Sequence, residues 1–266
     1  MRNALLAWLL LAGCAPPDPG DTRIIGHGGS GVDAETPLNS RESLLRALSI
    51  GADGIELDAQ LTADSVLVAL HPLRIEEGTA CTGIVNAHRW EDLKSCPSIH
   101  GDASFPLVRI DSLLLEAAFA FPAADFTLDC KLITEGDWWG YLHAFTDAVL
   151  AIEDHQALKG RLLVDCQTED FLHLLTTKRS GFPAFLYAPS FDTAIERAKA
   201  SGCVGITLAY DRVDAQQAAQ IKQAGLALTL FGTASEWSHR HALSLRPVRL
   251  QTDLPAYALG LRRASP

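Results

Sequence analysis

No cluster of basic residues occurs in the 266-residue sequence, and the formal net charge is −10. That argues against a nucleic-acid partner, because a phosphate backbone demands grouped Lys and Arg. No internal repeat and no internal linker divide the chain. The apolar stretch from Ala4 to Leu11 is too short to span a bilayer. Cys81 and Cys96 stand at a spacing that fits no zinc motif. Against these absences, 48% of residues are apolar and 20% charged, so a buried core is attainable and disorder is confined to the ends. The length suits one large domain or two modest ones.

The first twenty residues differ from the rest. One early arginine, the short apolar region and then Leu11-Ala12-Gly13-Cys14 read as a secretory signal. The small pair before Cys14 resembles the lipobox of bacterial lipoproteins. That resemblance implies a signal peptide over 1–14 and lipidation at Cys14. Residues 15–22 would be a Pro-rich tether, with the folded domain over 23–266. It implies a lipid-anchored protein of the bacterial cell envelope, on the outer-membrane or periplasmic side. An exported chain meets an oxidising compartment, and Cys81 and Cys96, close together in one loop-like segment, are the best candidates for a disulfide. Five cysteines remain after Cys14, so at least one thiol stays free.

Past residue 23, short β-branched runs alternate with helical patterns. The runs begin at Ile24, Ile55, Phe126, Leu162, Ala184, Val204, Leu226 and Val248. Strands alternating with helices imply a parallel sheet. Val66 to Leu70 would be a ninth run, but only Thr62-Ala63-Asp64-Ser65 separates it from the strand before. A connection that short joins antiparallel neighbours only. Eight parallel strands remain, which predicts a (β/α)8 TIM barrel in one domain. Arg74 to Pro106 shows no sustained period and is expected to be an insertion loop (74–106) in place of the second barrel helix. A long loop of this kind usually lines or covers a site.

The barrel active site forms at the carboxyl ends of the strands, and four sets of polar residues fall there. His27 closes the first strand, Glu56 and Asp58 sit on the second, His71 closes the return strand, and Asp129 and Lys131 sit on the third. Period two puts Glu56 and Asp58 on one face, and Asp129 and Lys131 on one face. Three carboxylates converging in the interior would repel one another. A divalent cation relieves this, and oxygen-only ligands suit Mg²⁺ or Ca²⁺ rather than Zn²⁺. The competing reading is a structural ion network around Lys131. Two histidines beside such a centre suggest one base and one acid.

The segment HGG, then PLNS, then GADGIELDAQLTADSVLVALHP resembles the N-terminal signature of the glycerophosphodiester phosphodiesterase family. FTLDCK is similar to its third-strand acid-x-Lys motif, and LQTDLP to the Thr-Asp-x-Pro ending its last strand. The resemblance implies a TIM barrel with one divalent cation held by Glu56, Asp58 and Asp129. His27 and His71 match the acid/base pair, and Lys131 the phosphate-contacting lysine. It also implies hydrolysis of glycerophosphodiesters to glycerol phosphate and an alcohol.

Four positions depart from that pattern. Gly28 stands where the family has an arginine, Leu38 replaces a glutamate, Pro72 replaces an aspartate, and Asp129 stands for the more frequent glutamate. The last change, with a cysteine-bearing loop after His71, is similar to the related sphingomyelinase D branch, which cleaves choline lipids. The expected partners are therefore a small-molecule or lipid phosphodiester and, through the anchor, a membrane. The chain is expected to be a monomer. A catalytically silent lipid-binding barrel is the alternative of a different class.

Overall fold

A computed structural model describes residues 22–32 and 35–264. The signal segment, Cys14 and residues 15–21 lie outside the described residues. Among the described residues twelve strands form: β1 Arg23–Gly26, β2 Gly54–Leu61, β3 Leu67–Ala69, β4 Ser98–His100, β5 Ala103–Phe105, β6 Val108–Arg109, β7 Asp125–Cys130, β8 Leu162–Cys166, β9 Ala184–Tyr187, β10 Gly205–Ala209, β11 Ala227–Thr233 and β12 Arg249–Thr252.

Eight of them, β1, β2 and β7 to β12, pair in parallel with their neighbours in chain order. The ring closes where Ile24 of β1 pairs with Leu250 of β12. This is the (β/α)8 barrel that the alternation predicts. Alternate residues face outward: Leu57, Ala59, Leu128 and Cys130 are buried in the main core between strands and helices. That layer drives closure, because each strand's outward face finds an apolar helix stripe to cover it. Cys130, Cys166 and Cys203 are free and buried in the same layer.

The inward face is unusually polar. At its lower end Arg249, 3% exposed, donates to Asp125 Oδ2 (2.7 Å) and to Thr127 Oγ1 (2.7 Å). Arg23 pairs with the same Asp125 carboxylate at 2.6 Å. A buried charge is tolerated only when paired in this way.

As expected, β3 returns antiparallel to β2, with Gln60 opposite Val68. The segment 74–106 differs from expectation in two respects. It is not a structureless loop: β4 and β5 form an antiparallel hairpin, and Ile75, Val85, Leu93 and Cys96 join Val68, Leu70 and Leu107 in a second small core. Nor does it replace a barrel helix, because the helix Ile110–Ala120 takes that place before β7. Elements of three or four residues carry no period to read, and packing rather than propensity holds them. Cys81 and Cys96 are joined by a disulfide with Cα atoms 5.8 Å apart. A closed loop of this length stabilises by about 3 kcal/mol.

The insertion's stability therefore depends on that bridge more than the barrel's does. In limited proteolysis of a Cys81→Ser variant, cleavage within 74–106 should accelerate well before any cut in β7 to β12. Equal cutting rates in variant and wild type would contradict this.

Candidate active site

The register of the barrel brings the acidic residues together. Glu56, Asp58 and Gln60 occupy successive inward positions of β2, and Asp58 pairs across with Asp129 of β7. Single oxygens of Glu56, Asp58 and Asp129 lie within 4.8 Å of one another. Glu56 and Asp58 are 1% and 2% exposed. Lys131 falls one residue past the end of β7 rather than within it. Its Nζ still bridges the two strands, 2.5 Å from Asp129 Oδ2 and 3.1 Å from Asp58 Oδ1.

Backbone and amide groups fix the carboxylates. The Gly28 N–H donates to Glu56 Oε2 (2.9 Å). Asn39 Nδ2 donates to Asp58 Oδ2 (2.7 Å), and Asn39 Oδ1 accepts from the Asp58 N–H (2.9 Å). Asn39 does this from φ 66°, a left-handed conformation that asparagine tolerates better than most residues. The loop after β1 also passes close to the last strand: Gly31 has φ 81°, and a Cβ there would overlap the backbone of Asp253.

The two histidines are held differently. His27 follows β1, and its Nδ1 lies 2.7 Å from Asp253 Oδ1, while Nε2 lies 4.0 Å from Glu56 Oε2. His71 is exposed, two residues past β3. Gln60 Nε2 donates to both Leu70 O and Pro72 O, each at 2.8 Å, so the backbone on either side of His71 is tied to the acidic strand. Both histidines line one cavity of about 320 Å³ with Glu56, Asp129, Lys131, Asp165, Tyr187, Thr207, Phe231, Gly232 and Gln251.

Electrostatics follow from burial and crowding. Burial, then the Asp58 charge, pushes Glu56 up to about 8; the Asp129 charge adds to this, and the His27 charge and the Gly28 N–H work against it. Burial also raises Asp129, although Lys131 works against it. For His27 burial opposes charge, but the hydrogen bond to Asp253 and the charges of Glu56, Asp253 and Asp58 win, and it is pushed up to about 9. Burial opposes the Lys131 charge too, yet Asp129 and Asp58 hold it above the usual lysine range. Burial and then Asp129 push Asp165 up to about 7. The three converging carboxylates thus carry more negative charge than Lys131 alone offsets. An all-oxygen donor set of this kind fits a hard divalent cation.

All six residues singled out by the strand pattern, His27, Glu56, Asp58, His71, Asp129 and Lys131, meet at this one mouth. Asn39, Gln60, Gln251 and Asp253 fall inside the quoted motifs without an assigned role, and Asp165 and Thr207 fall outside them. Period two would have flagged Gln60, which follows Glu56 and Asp58 on the same face. Gly28 and Leu38, two of the departures from the expected pattern, touch: a Cβ on Gly28 would lie 2.9 Å from Leu38 Cβ.

Residues 30–256 match the Glycerophosphoryl diester phosphodiesterase family. The chain belongs to that family. All the residues above except His27 and Gly28 lie inside the matched segment. A glycerophosphodiester phosphodiesterase of Bacillus altitudinis is 39% identical over 83 residues, which is 31% of this chain and 31% of that protein. Matches to curated relatives span between 29% and 45% of the relatives' lengths. Among solved structures, a glycerophosphodiester phosphodiesterase from Parabacteroides distasonis superposes with a TM-score of 0.77 at 19% identity, covering 92% of this chain and 98% of that one. An Oleispira antarctica phosphodiesterase in complex with the product sn-glycerol-3-phosphate gives 0.73 at 18% identity, covering 90% and 95%. Glycerophosphoryl diester phosphodiesterase family members therefore share this barrel with the chain.

The raised values of Glu56, Asp165 and His27 have one sign: the folded chain holds protons that the unfolded chain releases. The stability this confers is complete for each group below its ordinary value, 3.8 for Asp165, 4.5 for Glu56 and 6.5 for His27, and is lost as pH rises through about 7, 8 and 9 respectively. The thermal midpoint of the chain in EDTA should therefore fall steadily from pH 5 to pH 9. A flat or rising midpoint over that range would contradict the electrostatics described here.

Proposed function

We propose that the chain is a metal-dependent phosphodiesterase that hydrolyses glycerophosphodiesters to glycerol phosphate and an alcohol. The observation that carries this is the convergence of Glu56, Asp58 and Asp129 within 4.8 Å in a cavity that also holds both histidines and Lys131. Glu56, Asp58 and Asp129 would hold one Mg²⁺ or Ca²⁺. When bound, the cation supplies Lewis-acid neutralisation of charge on the phosphoryl oxygens.

The chain's own residues do the rest. Lys131 presents a fixed positive charge to the anionic diester, and in a water-poor cavity such preorganised charge is the largest catalytic contribution. Asp253 holds His27 by Nδ1, leaving Nε2 to face the cavity and protonate the departing alcohol. His71, lining the same cavity and steadied through Gln60, takes the proton of the attacking hydroxyl or water. A decayed, silent barrel would have little reason to keep this whole constellation.

The lipobox resemblance at Cys14 supports a lipid anchor at the bacterial cell envelope, and the Cys81–Cys96 disulfide suits an oxidising compartment. Among the described residues no helix is long and apolar enough to cross a membrane.

One observation favours the second reading, sphingomyelinase D-like or lysophospholipase D-like cleavage of choline lipids. A groove of about 310 Å³ that His71 lines has Val32, Leu38, Leu70 and Ile99 among polar neighbours Asn39, Ser98 and His100, and so offers both apolar and polar contacts to a lipid.

The test is hydrolysis by the soluble chain from Ala15, with Mg²⁺, Ca²⁺ or EDTA. Substrates are glycerophosphocholine, glycerophosphoethanolamine, lysophosphatidylcholine and sphingomyelin. Turnover of the water-soluble diesters, abolished by EDTA and reduced about 100-fold or more by His71→Ala and by Glu56→Ala, is expected. Turnover of the lipids alone would move the assignment to the second reading. Activity unchanged by both substitutions would overturn the proposal.

A further inference from the structure

The end of the barrel opposite the active site carries charge of the other sign. All eight parallel strands begin at this end, and the connections that lead from each covering helix into the next strand lie on it. The chain as a whole bears a net charge of −10, yet the acids on this face are few and paired. Asp53 meets Arg262, Asp125 meets Arg23 and Arg249, and Glu153 and Asp154 both meet Arg179. Five further bases, Lys159, Lys199, Lys222, Arg246 and Arg263, stand exposed there and form no ion pair among the described residues. Far apart in the sequence, they are gathered only by the fold. Apolar surface lies among them. A groove of about 350 Å³ is lined by Leu226, Leu245 and Val248 together with Lys222 and Arg246, and Phe119, in the last turn of Ile110–Ala120, is 75% exposed.

Arg246 is the informative one. It follows Leu245, the C-cap of the helix Glu236–Ser244, at φ 53°. Crowding of Cβ makes that left-handed conformation costly for any residue but glycine. At the matching places after the helices Ala194–Ala200 and Ala215–Gln223 the chain has Gly202 and Gly225. A helix dipole favours a cation at this end, but by less than the conformation costs. An exposed arginine held under strain, with no acid to pair with in the fold, points to a partner outside it. The described chain also enters the barrel beside it. Thr22 Oγ1 donates to the carbonyl of Pro247 (2.8 Å), and Arg262 donates to the carbonyl of Thr22 (3.1 Å). A tether over 15–21 reaches at most roughly 25 Å from this point.

We propose that this end of the barrel docks on an anionic phospholipid bilayer, with Lys159, Lys199, Lys222, Arg246 and Arg263 facing the head groups and the groove beside Arg246 taking the apolar part of one lipid. The proposal rests on the envelope reading above and adds an orientation to it: the mouth faces away from the bilayer, toward diesters dissolved in water. Bases spread over several helix ends with apolar side chains between them suit a fluid sheet of head groups better than the regular phosphates of a nucleic acid.

The test is co-sedimentation of the soluble chain from Ala15 with vesicles of phosphatidylcholine, either alone or mixed equally with phosphatidylglycerol. Binding to the mixed vesicles only, weakened by added salt, is expected. Arg246→Gly and Lys222→Gln should each lower the partition coefficient about fivefold, the contribution of one charge near the surface. Arg246→Gly also relieves the strained backbone, so lost binding there is not misfolding. Arg212→Gln, which removes an exposed base just past β10 at the mouth end, should leave partition unchanged. No binding to the mixed vesicles, equal binding to the neutral ones, or equal losses in Arg212→Gln and Arg246→Gly would overturn the docking face. The chain from Ala15 carries no lipid and the assay needs no turnover, so those results would leave both the anchor and the phosphodiesterase reading standing.

Discussion

Three carboxylates held inside a closed barrel set the terms for everything around them. At 4.8 Å or less, two unit charges at an effective dielectric of about 20 repel by about 3–4 kcal/mol. Glu56, Asp58 and Asp129 would therefore separate or protonate unless the fold opposed it. It does so with fixed partners: the Gly28 N–H on Glu56, the Asn39 amide on Asp58, and Lys131 between Asp58 and Asp129. None of these fully neutralises Glu56, and burial leaves it with a pKa near 8. The site is stored electrostatic tension that a hard cation would relieve.

The barrel makes such tension tolerable because its stability resides elsewhere. The outward faces of the strands and the helices that cover them hold the apolar core, and the Arg249–Asp125 pair closes the lower interior. The mouth can then be polar without the fold depending on it. Gly28 and Leu38 lie against each other beside the acidic cluster.

Much of this was legible from the chain. Alternating patterns located all eight barrel strands, and the four-residue gap after Leu61 identified β3 as a return strand. Glu56-x-Asp58 and Asp129-x-Lys131 needed only period two to be placed on the inner face. What could not be read was whatever depends on contacts distant in sequence or on elements too short for a period. Asp253 meets His27 across 226 positions, and only ring closure brings them together. The hairpin and small core of 74–106 rest on packing and on a disulfide, and the final helix Pro255–Ala264 lies beyond the last strand that was read. Asp165, Thr207 and Gln251 each look unremarkable on their own strands, and Thr207 and Gln251 meet the Asp165 carboxyl only once the barrel is closed.

The account stands most directly on whether the three carboxylates bind one cation. Isothermal titration of Ca²⁺ and of Mg²⁺ into the soluble chain at pH 8, beside Glu56→Gln and Asp129→Asn, measures this without any substrate. Saturable one-to-one binding of at least one of the two ions by the wild type, lost in both variants, is expected. No saturable binding by the wild type, or equal binding by the variants, would contradict it.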